Sequence, residues 1–357
     1  MKILYCYRHG ILGGVCTQLF HRFRQSIHSG LELHCLFNKD HGVSEMLGDF
    51  AELHFGLRGQ DMAEWAEKQA FDIIIIIDSP EYLEMLNGNE HGAKVFIEVH
   101  TSIFKNLEYV RSLNKENIDG IITVSDYMIG IIQDRLTNEL SEISIQKFGN
   151  VLDAELFTLQ VEREESNRIP ILWVGKIDDH KDWKSYFQIC QMLLEVRTDL
   201  EFWIVGGQTC PDELTQQVFD HALEIGILEH FRWLDRIENK NMNKMYAHVA
   251  SRGGCKLITS HNESFGMSAL ESMLSGCPVV SSRVGALPEV CEEGPHFKMY
   301  ELLDLEIASE LVLEIISDNG TEDARGKLTE INNQLVELYS SKKRTSEYWE
   351  ILKEMAK

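Results

Sequence analysis

Short apolar runs alternate with amphipathic stretches along the chain, which predicts strands and helices in turn. Strands are expected at Lys2–Tyr7, Leu31–Phe37, Glu52–Phe55, Phe71–Asp78, Lys94–His100, Gly120–Ser125 and Ile143–Phe148. Helical patterns at Val15–Ile27, Asp61–Ala70, Pro80–Leu86, Phe104–Asn114 and Tyr127–Thr137 fall between them. Ile73–Ile77 is isoleucine throughout, as a central parallel strand covered on both faces should be. The polar stretch Leu159–Arg168 interrupts the alternation and is expected to be a linker. A second series follows, with strands Ile169–Val174, Glu201–Val205 and His230–Leu234 and helices Trp183–Val196, Pro211–Ile225 and Asn241–His248. A strand near His296–Met299 and helices Glu306–Ser317 and Thr321–Leu338 close it. The tail Lys342–Lys357 is a separate helical pattern whose Tyr348, Trp349, Ile351 and Leu352 need a surface to cover. Two α/β units of parallel-sheet type are therefore expected, although no sequence repeat relates them.

One stretch concentrates the polar residues. In Leu257–Val290 a strand, Leu257–Thr259, ends in the polar turn Ser260–Ser264. A helix is expected from near Phe265 to Leu274, ended by Ser275 and Gly276, and then a strand, Cys277–Ser281. Such a strand–loop–helix–strand unit puts its polar turn where open α/β sheets bind ligands. Glu271 shares its helix face with Met267 and Leu274, and a carboxylate on an apolar face needs a partner.

Other polar groups also fall at strand ends: His100 and Thr101, Ser125 and Asp126, Gly175 and Lys176 with His180 and Lys181, and Gly206 and Gly207. They point to one cleft between two domains. Lys176 and Lys181, near helix N-termini and backbone amides, suit a diphosphate clamp in which each charge-assisted bond is worth roughly 1.5–3 kcal/mol. In the first unit, Arg8–Gly14 carries Gly10, Gly13 and Gly14 but lacks the G-x-G-x-x-G spacing. It suits either a tight strand–helix turn or a backbone that passes close to a phosphate or sugar.

Composition narrows the classes of function. The 357 residues exceed a single core, and a net charge of -23 with no basic lobe disfavours nucleic acid and polybasic docking on an anionic membrane. The chain shows no secretory signal and no apolar run of spanning length, so a cytoplasmic protein with at most peripheral membrane contact is expected. The eight cysteines are scattered without C-x-x-C pairs, which predicts reduced thiols and no metal site.

The stretch N-E-S-F-G-M-S-A-L-E (Asn262–Glu271), followed by S-G-C-P-V-V, resembles the glutamate–seven residues–glutamate signature of retaining glycosyltransferases of the GT4 family. Gly13–Val15, Ile122–Ser125, Gly149–Asp153, Val174–Lys181 and Ile204–Gly207 resemble further motifs of that family, in the right order. The resemblance implies the GT-B fold: two Rossmann-like parallel-sheet domains facing across a cleft, with a C-terminal helix packing back on the body. It divides the chain into an acceptor-binding domain at residues 1–160, a nucleotide-sugar-binding domain at 161–340 and a returning helix at 341–357. It implies a metal-independent hexosyltransferase, bacterial in type, with no cofactor beyond a nucleotide-diphosphate sugar as donor substrate, a UDP-sugar first.

By the same resemblance Glu271 holds the ribose hydroxyls, and Glu263 contacts the donor sugar near the anomeric carbon. The amides of Phe265, Gly266 and Met267, beside Ser264, receive sugar hydroxyls or phosphate oxygens. Lys176, where the family usually has arginine, and Lys181 neutralise the diphosphate. His100 reaches the donor sugar, Gly13 and Gly14 approach the β-phosphate, and Gly175, Gly206, Gly207, Arg236 and Ile237 line the nucleotide. Asp182 stands where the family has a glycine after the lysine, and Ala286 where a second glycine is common. The acceptor implied is a small molecule, glycan or glycolipid. A sugar-nucleotide epimerase, another GT-B enzyme and a non-catalytic sugar-nucleotide-binding protein are the alternatives.

Overall fold

Apolar runs of four to six residues become strands because both of their faces are covered, and the computed structural model arranges them in two parallel sheets. It describes residues 1–11, 13–86, 91–113, 115–135, 143–157, 164, 166–206, 212–234, 237–318 and 322–357, with the side chains of 322–326 left aside. The chain divides into two units, Met1–Leu152 with Tyr339–Lys357, and Asp153–Leu338. The division falls between Leu152 and Asp153, ahead of Leu159–Arg168, and Val151 still belongs to the first unit's core. Residues 158–163 and 165 of that expected linker lie outside the described residues.

The described residues of the first unit form nine strands: β1 (Lys2–Cys6), β2 (His9–Ile11), β3 (Glu32–Phe37), β4 (Lys39–His41), β5 (Glu52–Phe55), β6 (Ile73–Ile77), β7 (Lys94–Val99), β8 (Gly120–Thr123) and β9 (Ile145–Lys147). Seven form a parallel sheet in the order β5-β3-β1-β6-β7-β8-β9, and β2 pairs with β4 apart from it. The all-isoleucine β6 lies inside the sheet between β1 and β7 and is fully buried.

The second unit has β10 (Ile169–Val174), β11 (Leu200–Val205), β12 (Phe231–Leu234), β13 (Cys255–Ile258), β14 (Val279–Ser282) and β15 (Phe297–Tyr300), in the parallel order β12-β11-β10-β13-β14-β15. Each sheet grows outward from its first strand in one direction and then restarts on the other side of it, the doubly-wound Rossmann pattern.

Three local expectations are corrected. Arg8–Gly14 is not a plain loop, since His9–Ile11 forms β2, and a Cβ on Gly10 would run into the Lys39 carbonyl of the neighbouring strand. Gly10 therefore serves strand packing. Phe104–Ser112 is built of 3-10 turns where an α-helix was expected. The strand expected at Cys277–Ser281 runs instead from Val279 to Ser282, and a short helix, Leu287–Val290, follows it.

The helix Ser341–Met355 covers the first unit's core with Tyr348, Trp349 and Leu352. Its seat is polar at the centre. Arg22 and Glu98, both buried, form a two-pronged ion pair at 2.8 and 3.1 Å. Tyr348 donates its hydroxyl to Glu98 at 3.0 Å, and the Arg22 guanidinium lies 3.7 Å from the Tyr348 ring centre. Trp349 Nε1 donates to Ser26 Oγ at 2.9 Å. Burial alone would raise Glu98, but Arg22 beside it and the bonds from His100 and Arg22 hold it well below the ordinary 4.5.

Because Glu98 is more acidic folded than unfolded, its stabilisation is present above about pH 4.5 and is lost as the pH falls below that. Denaturant melts at pH 7, 5 and 3.5 should show wild-type stability dropping over the acid range. Tyr348→Phe should cost about 1–2 kcal/mol at pH 7. Glu98→Gln, which strands Arg22 in the core, should cost about 3–5 kcal/mol and flatten the acid dependence.

Candidate functional site

In the second unit the strand order reverses between β10 and β13, and the loops leaving these two strands share the switch point where such sheets bind ligands. Thr259, just past β13, ties the loops together. Its hydroxyl accepts from Trp173 Nε1 at 3.0 Å and lies 2.9 and 2.8 Å from the carbonyls of Lys181 and Asp182. The backbone N–H of His261 donates to the His180 carbonyl at 2.9 Å. Asp182 sits in the left-handed region at φ 50 and caps the helix Trp183–Val196, accepting from Ser185 N at 3.1 Å. A glycine would adopt that backbone easily, and the aspartate adds the cap and a bond to His261 Nε2 at 2.8 Å.

These ties bring Lys181 and Glu263 together. Glu263 Oε1 accepts from Lys181 Nζ at 2.6 Å and from Ser260 Oγ at 2.7 Å. Burial pushes Glu263 up, but Lys181 and these two bonds outweigh it and hold the carboxyl below its ordinary range, ionised at neutral pH. Glu263 keeps 14% of its side chain exposed and Lys181 27%, so both reach the surface of the site. Behind them Gly285, at φ 57, packs against the Glu263 backbone so closely that a Cβ would strike the Glu263 carbonyl. Ala286 N donates to that carbonyl at 2.8 Å.

The helix carrying Glu271 runs from Met267 to Leu274, starting two residues later than the sequence pattern suggests. Gly266 caps it at φ 91, with Leu287 2.5 Å from where a Cβ would stand. Among the described residues no acceptor meets the N–H groups of Gly266, Met267 and Ser268. These three donors open at the positive end of the helix dipole, beside Glu263 in the chain.

Glu271 is buried and has found partners. Its carboxylate accepts from Asn239 Nδ2 at 3.3 Å and Tyr246 OH at 3.4 Å. Beneath it lies Lys256 of β13, fully buried, whose Nζ donates to the Ser268 carbonyl at 2.7 Å and stands 5.3 Å from the Tyr246 ring centre. Burial raises Glu271, which the Lys256 charge opposes; burial lowers Lys256, which Glu271 and then Glu263 oppose. Asn239 Oδ1 is buried without a hydrogen-bond partner among the described residues. Asn239, Tyr246 and Lys256 were missed in the sequence. A lysine in the middle of the apolar run Cys255–Ile258 is the signal that could have found the last of them.

The remaining expected residues are placed as follows. Gly175 and Gly206 pack backbone to backbone, since a Cβ on Gly206 would strike the Gly175 carbonyl. Lys176 is exposed after β10, with no ion pair among the described residues. Ser264 is half-buried and Phe265 is buried in the unit. Ile237 is half-buried two residues before Asn239. Gly207 and Arg236 lie outside the described residues.

In the first unit the strand order reverses between β1 and β6. Arg8, after β1, donates Nη2 to the Asp78 carbonyl at 3.0 Å. Asp78, after β6, holds φ 42 and accepts from the backbone N–H of Thr101 at 2.9 Å and of His100 at 3.1 Å. Burial raises Asp78 to about 6. The hydroxyl of Tyr109 is buried without a partner among the described residues. His100 commits Nε2 to Glu98 at 2.9 Å, which leaves Nδ1 for a ligand. Gly13 caps the helix Gly14–Arg24, and no atom comes within 4 Å of a Cβ built on Gly14.

Residues 157–330 match the family model of glycosyl transferases group 1. A D-inositol 3-phosphate glycosyltransferase of Corynebacterium urealyticum is 24% identical over 335 residues, 85% of this chain and 73% of its own length. That of Corynebacterium efficiens is 26% identical over 159 residues, 44% of this chain and 37% of its own, and that of Corynebacterium diphtheriae is covered to 43%. The chain thus spans less than half the length of these last two relatives. The solved sucrose-phosphate synthase of Thermosynechococcus elongatus superposes with a TM-score of 0.80 at 13% identity, over 99% of this chain and 98% of that one. Anabaena HepE in complex with UDP and glucose gives 0.71 at 15% identity, over 96% and 100%. At these identities the likeness to solved structures is one of fold, and the fold is GT-B. The second unit thus carries the match to the glycosyl transferases group 1 model, in a chain with the GT-B fold.

Proposed function

We propose that this protein transfers a hexose from a nucleotide-diphosphate sugar, with UDP as the nucleotide, to an acceptor hydroxyl, and that the anomeric configuration is retained. The observation that carries this is the meeting of an ionised Glu263, Lys181 and three open N–H groups at one helix start, with a second carboxylate, Glu271, held on the same helix. A diphosphate needs cations and N–H donors, and sugar and ribose hydroxyls need carboxylate acceptors. HepE, solved with UDP and glucose, gives the donor class its support.

In the proposed step the bond from the anomeric carbon to the diphosphate oxygen breaks, and the bonding pair leaves with that oxygen. The acceptor oxygen bonds to the carbon on the same face, and its proton passes to the leaving phosphate. Negative charge grows on the leaving oxygen, so Lys181, Lys176 and the Gly266–Ser268 amides favour the transition state over the ground state. Glu263, already neutralised by Lys181 and Ser260, takes sugar hydroxyls and positions the donor. Glu271 takes the ribose hydroxyls.

The acceptor is assigned to loops of the first unit, after Gly14, around Asp78–Tyr82 and after His100. The relatives named for D-inositol 3-phosphate and for 2-deoxystreptamine favour a small polyol acceptor. No described helix is long and apolar enough to cross a membrane.

With a UDP-sugar and a polyol panel, Lys181→Ala should lower turnover by about 100- to 1000-fold. Unchanged turnover would sink the clamp. Glu271→Ala should raise the donor KM at least tenfold with a smaller change in kcat, and an unchanged KM would remove the ribose role. Proton NMR of the fresh product should show the donor's own anomeric configuration; the opposite anomer would exclude retention. Lys256→Met takes away the cation that opposes protonation of Glu271. Donor affinity measured from pH 6 to 9 should then reach its half-maximum at a higher pH than in wild type, and superimposable profiles would contradict that dependence.

A further inference from the structure

The spacing of histidines and cysteines along the chain points to no metal, but strand pairing brings a ligand set together in the first unit. The tripeptide Glu-Leu-His occurs twice, at Glu32–His34 on β3 and Glu52–His54 on the edge strand β5. The parallel register sets His34 opposite Glu52, so the i, i+2 alternation puts all four polar side chains on one face of the edge pair. His34 Nδ1 lies 3.0 Å from His54 Nε2, His34 Nδ1 lies 3.7 Å from Glu52 Oε2, and His54 Nε2 lies 3.6 Å from Glu52 Oε1. A four-coordinate zinc ion with bonds of 2.0–2.1 Å needs its ligand atoms about 3.3–3.4 Å apart. The separation between the two imidazoles falls a little short of that value, and those to Glu52, one to each of its carboxylate oxygens, fall a little beyond it.

We propose that His34, His54 and Glu52 form a binding site for a divalent ion of the zinc class, with solvent as the fourth ligand. Two imidazoles and a carboxylate suit such an ion better than magnesium or calcium, which prefer all-oxygen shells. The outer shell is in place: His34 Nε2 donates to Glu32 Oε1 at 2.9 Å, which fixes the tautomer with Nδ1 bare. Glu32 in turn pairs with Lys2 at 3.2 Å, and Lys2 Nζ also donates to Gln69 at 2.7 Å.

Without metal, His54 Nε2–H donates to His34 Nδ1; a metal needs only the other tautomer of His54, with no net loss of a proton. His34 is 2% exposed and His54 16%, while Glu52 is 67% exposed, so the ion enters from the Glu52 side.

The cluster lies on the edge pair β5–β3, whereas the sheet's switch point lies between β1 and β6. The ion therefore fastens the edge strand β5 to β3 and has no part in sugar transfer.

Chelator-treated protein titrated with Co2+ should bind one ion with the visible absorption of a four- or five-coordinate site, and Zn2+ should bleach it. Zn2+ should also raise the melting temperature. Glu52→Gln, at an exposed position that keeps the fold, should weaken Co2+ binding at least tenfold, and His54→Gln about 100-fold. Melting in EDTA should be unchanged for Glu52→Gln. Wild-type affinity in both variants would place the binding on other histidines and overturn the site. So would the absence of saturable Co2+ binding below about 1 mM.

Discussion

A carboxylate withdrawn from water has to be compensated, and that constraint organises the second unit. Glu271 is buried on a helix face that it shares with Met267 and Leu274, and three groups from two other elements answer it: Asn239 and Tyr246 by hydrogen bonds and Lys256 by its charge. Lys256 is itself anchored on the Ser268 carbonyl, in the first turn of the same helix. The cation that offsets Glu271 therefore also holds the helix start whose first N–H groups meet no acceptor among the described residues. Lys181 and Ser260 do for Glu263 what Lys256, Asn239 and Tyr246 do for Glu271. Two compensated carboxylates eight residues apart, with an open helix N-terminus between them, make a site complementary to hydroxyls and phosphate together.

The first unit obeys the same rule for a different end. Glu98 is compensated by Arg22, and the pair accepts Tyr348 from the last helix of the chain, so the buried charge selects what covers it. His100 is drawn into that network through Nε2, which fixes the ring while leaving Nδ1 open. A residue near the proposed acceptor region is thereby oriented by the interaction that docks the C-terminal helix. The Asp78 backbone at φ 42 and its bonds to the N–H groups of His100 and Thr101 shape the same loops.

The sheets were legible because a parallel strand is apolar on both faces and leaves a continuous run: Ile73–Ile77 and Ile169–Val174 need no partner to be recognised. Glu263, Glu271 and Lys181 could be singled out because each stands at a strand end or on a short helix, while the roles proposed for them came from the family resemblance. What depends on long-range pairing was not legible. His9–Ile11 and Lys39–His41 are short and largely exposed, and only their pairing makes them strands. Lys256 hides in an apolar strand whose one polar group can be understood only once Glu271 is seen above it. His34 and Glu52 are eighteen residues apart and become neighbours through the register of β3 and β5.

The central claim is that the helix start at Gly266–Ser268 and the lysines near it hold a diphosphate. Isothermal titration of UDP and UMP against the intact protein tests it most directly, because the two ligands share base and ribose and differ by one phosphate. The account predicts that UDP binds at least tenfold more tightly than UMP and that Lys181→Ala removes most of the difference. Equal affinities for UDP and UMP in the wild-type protein would contradict it.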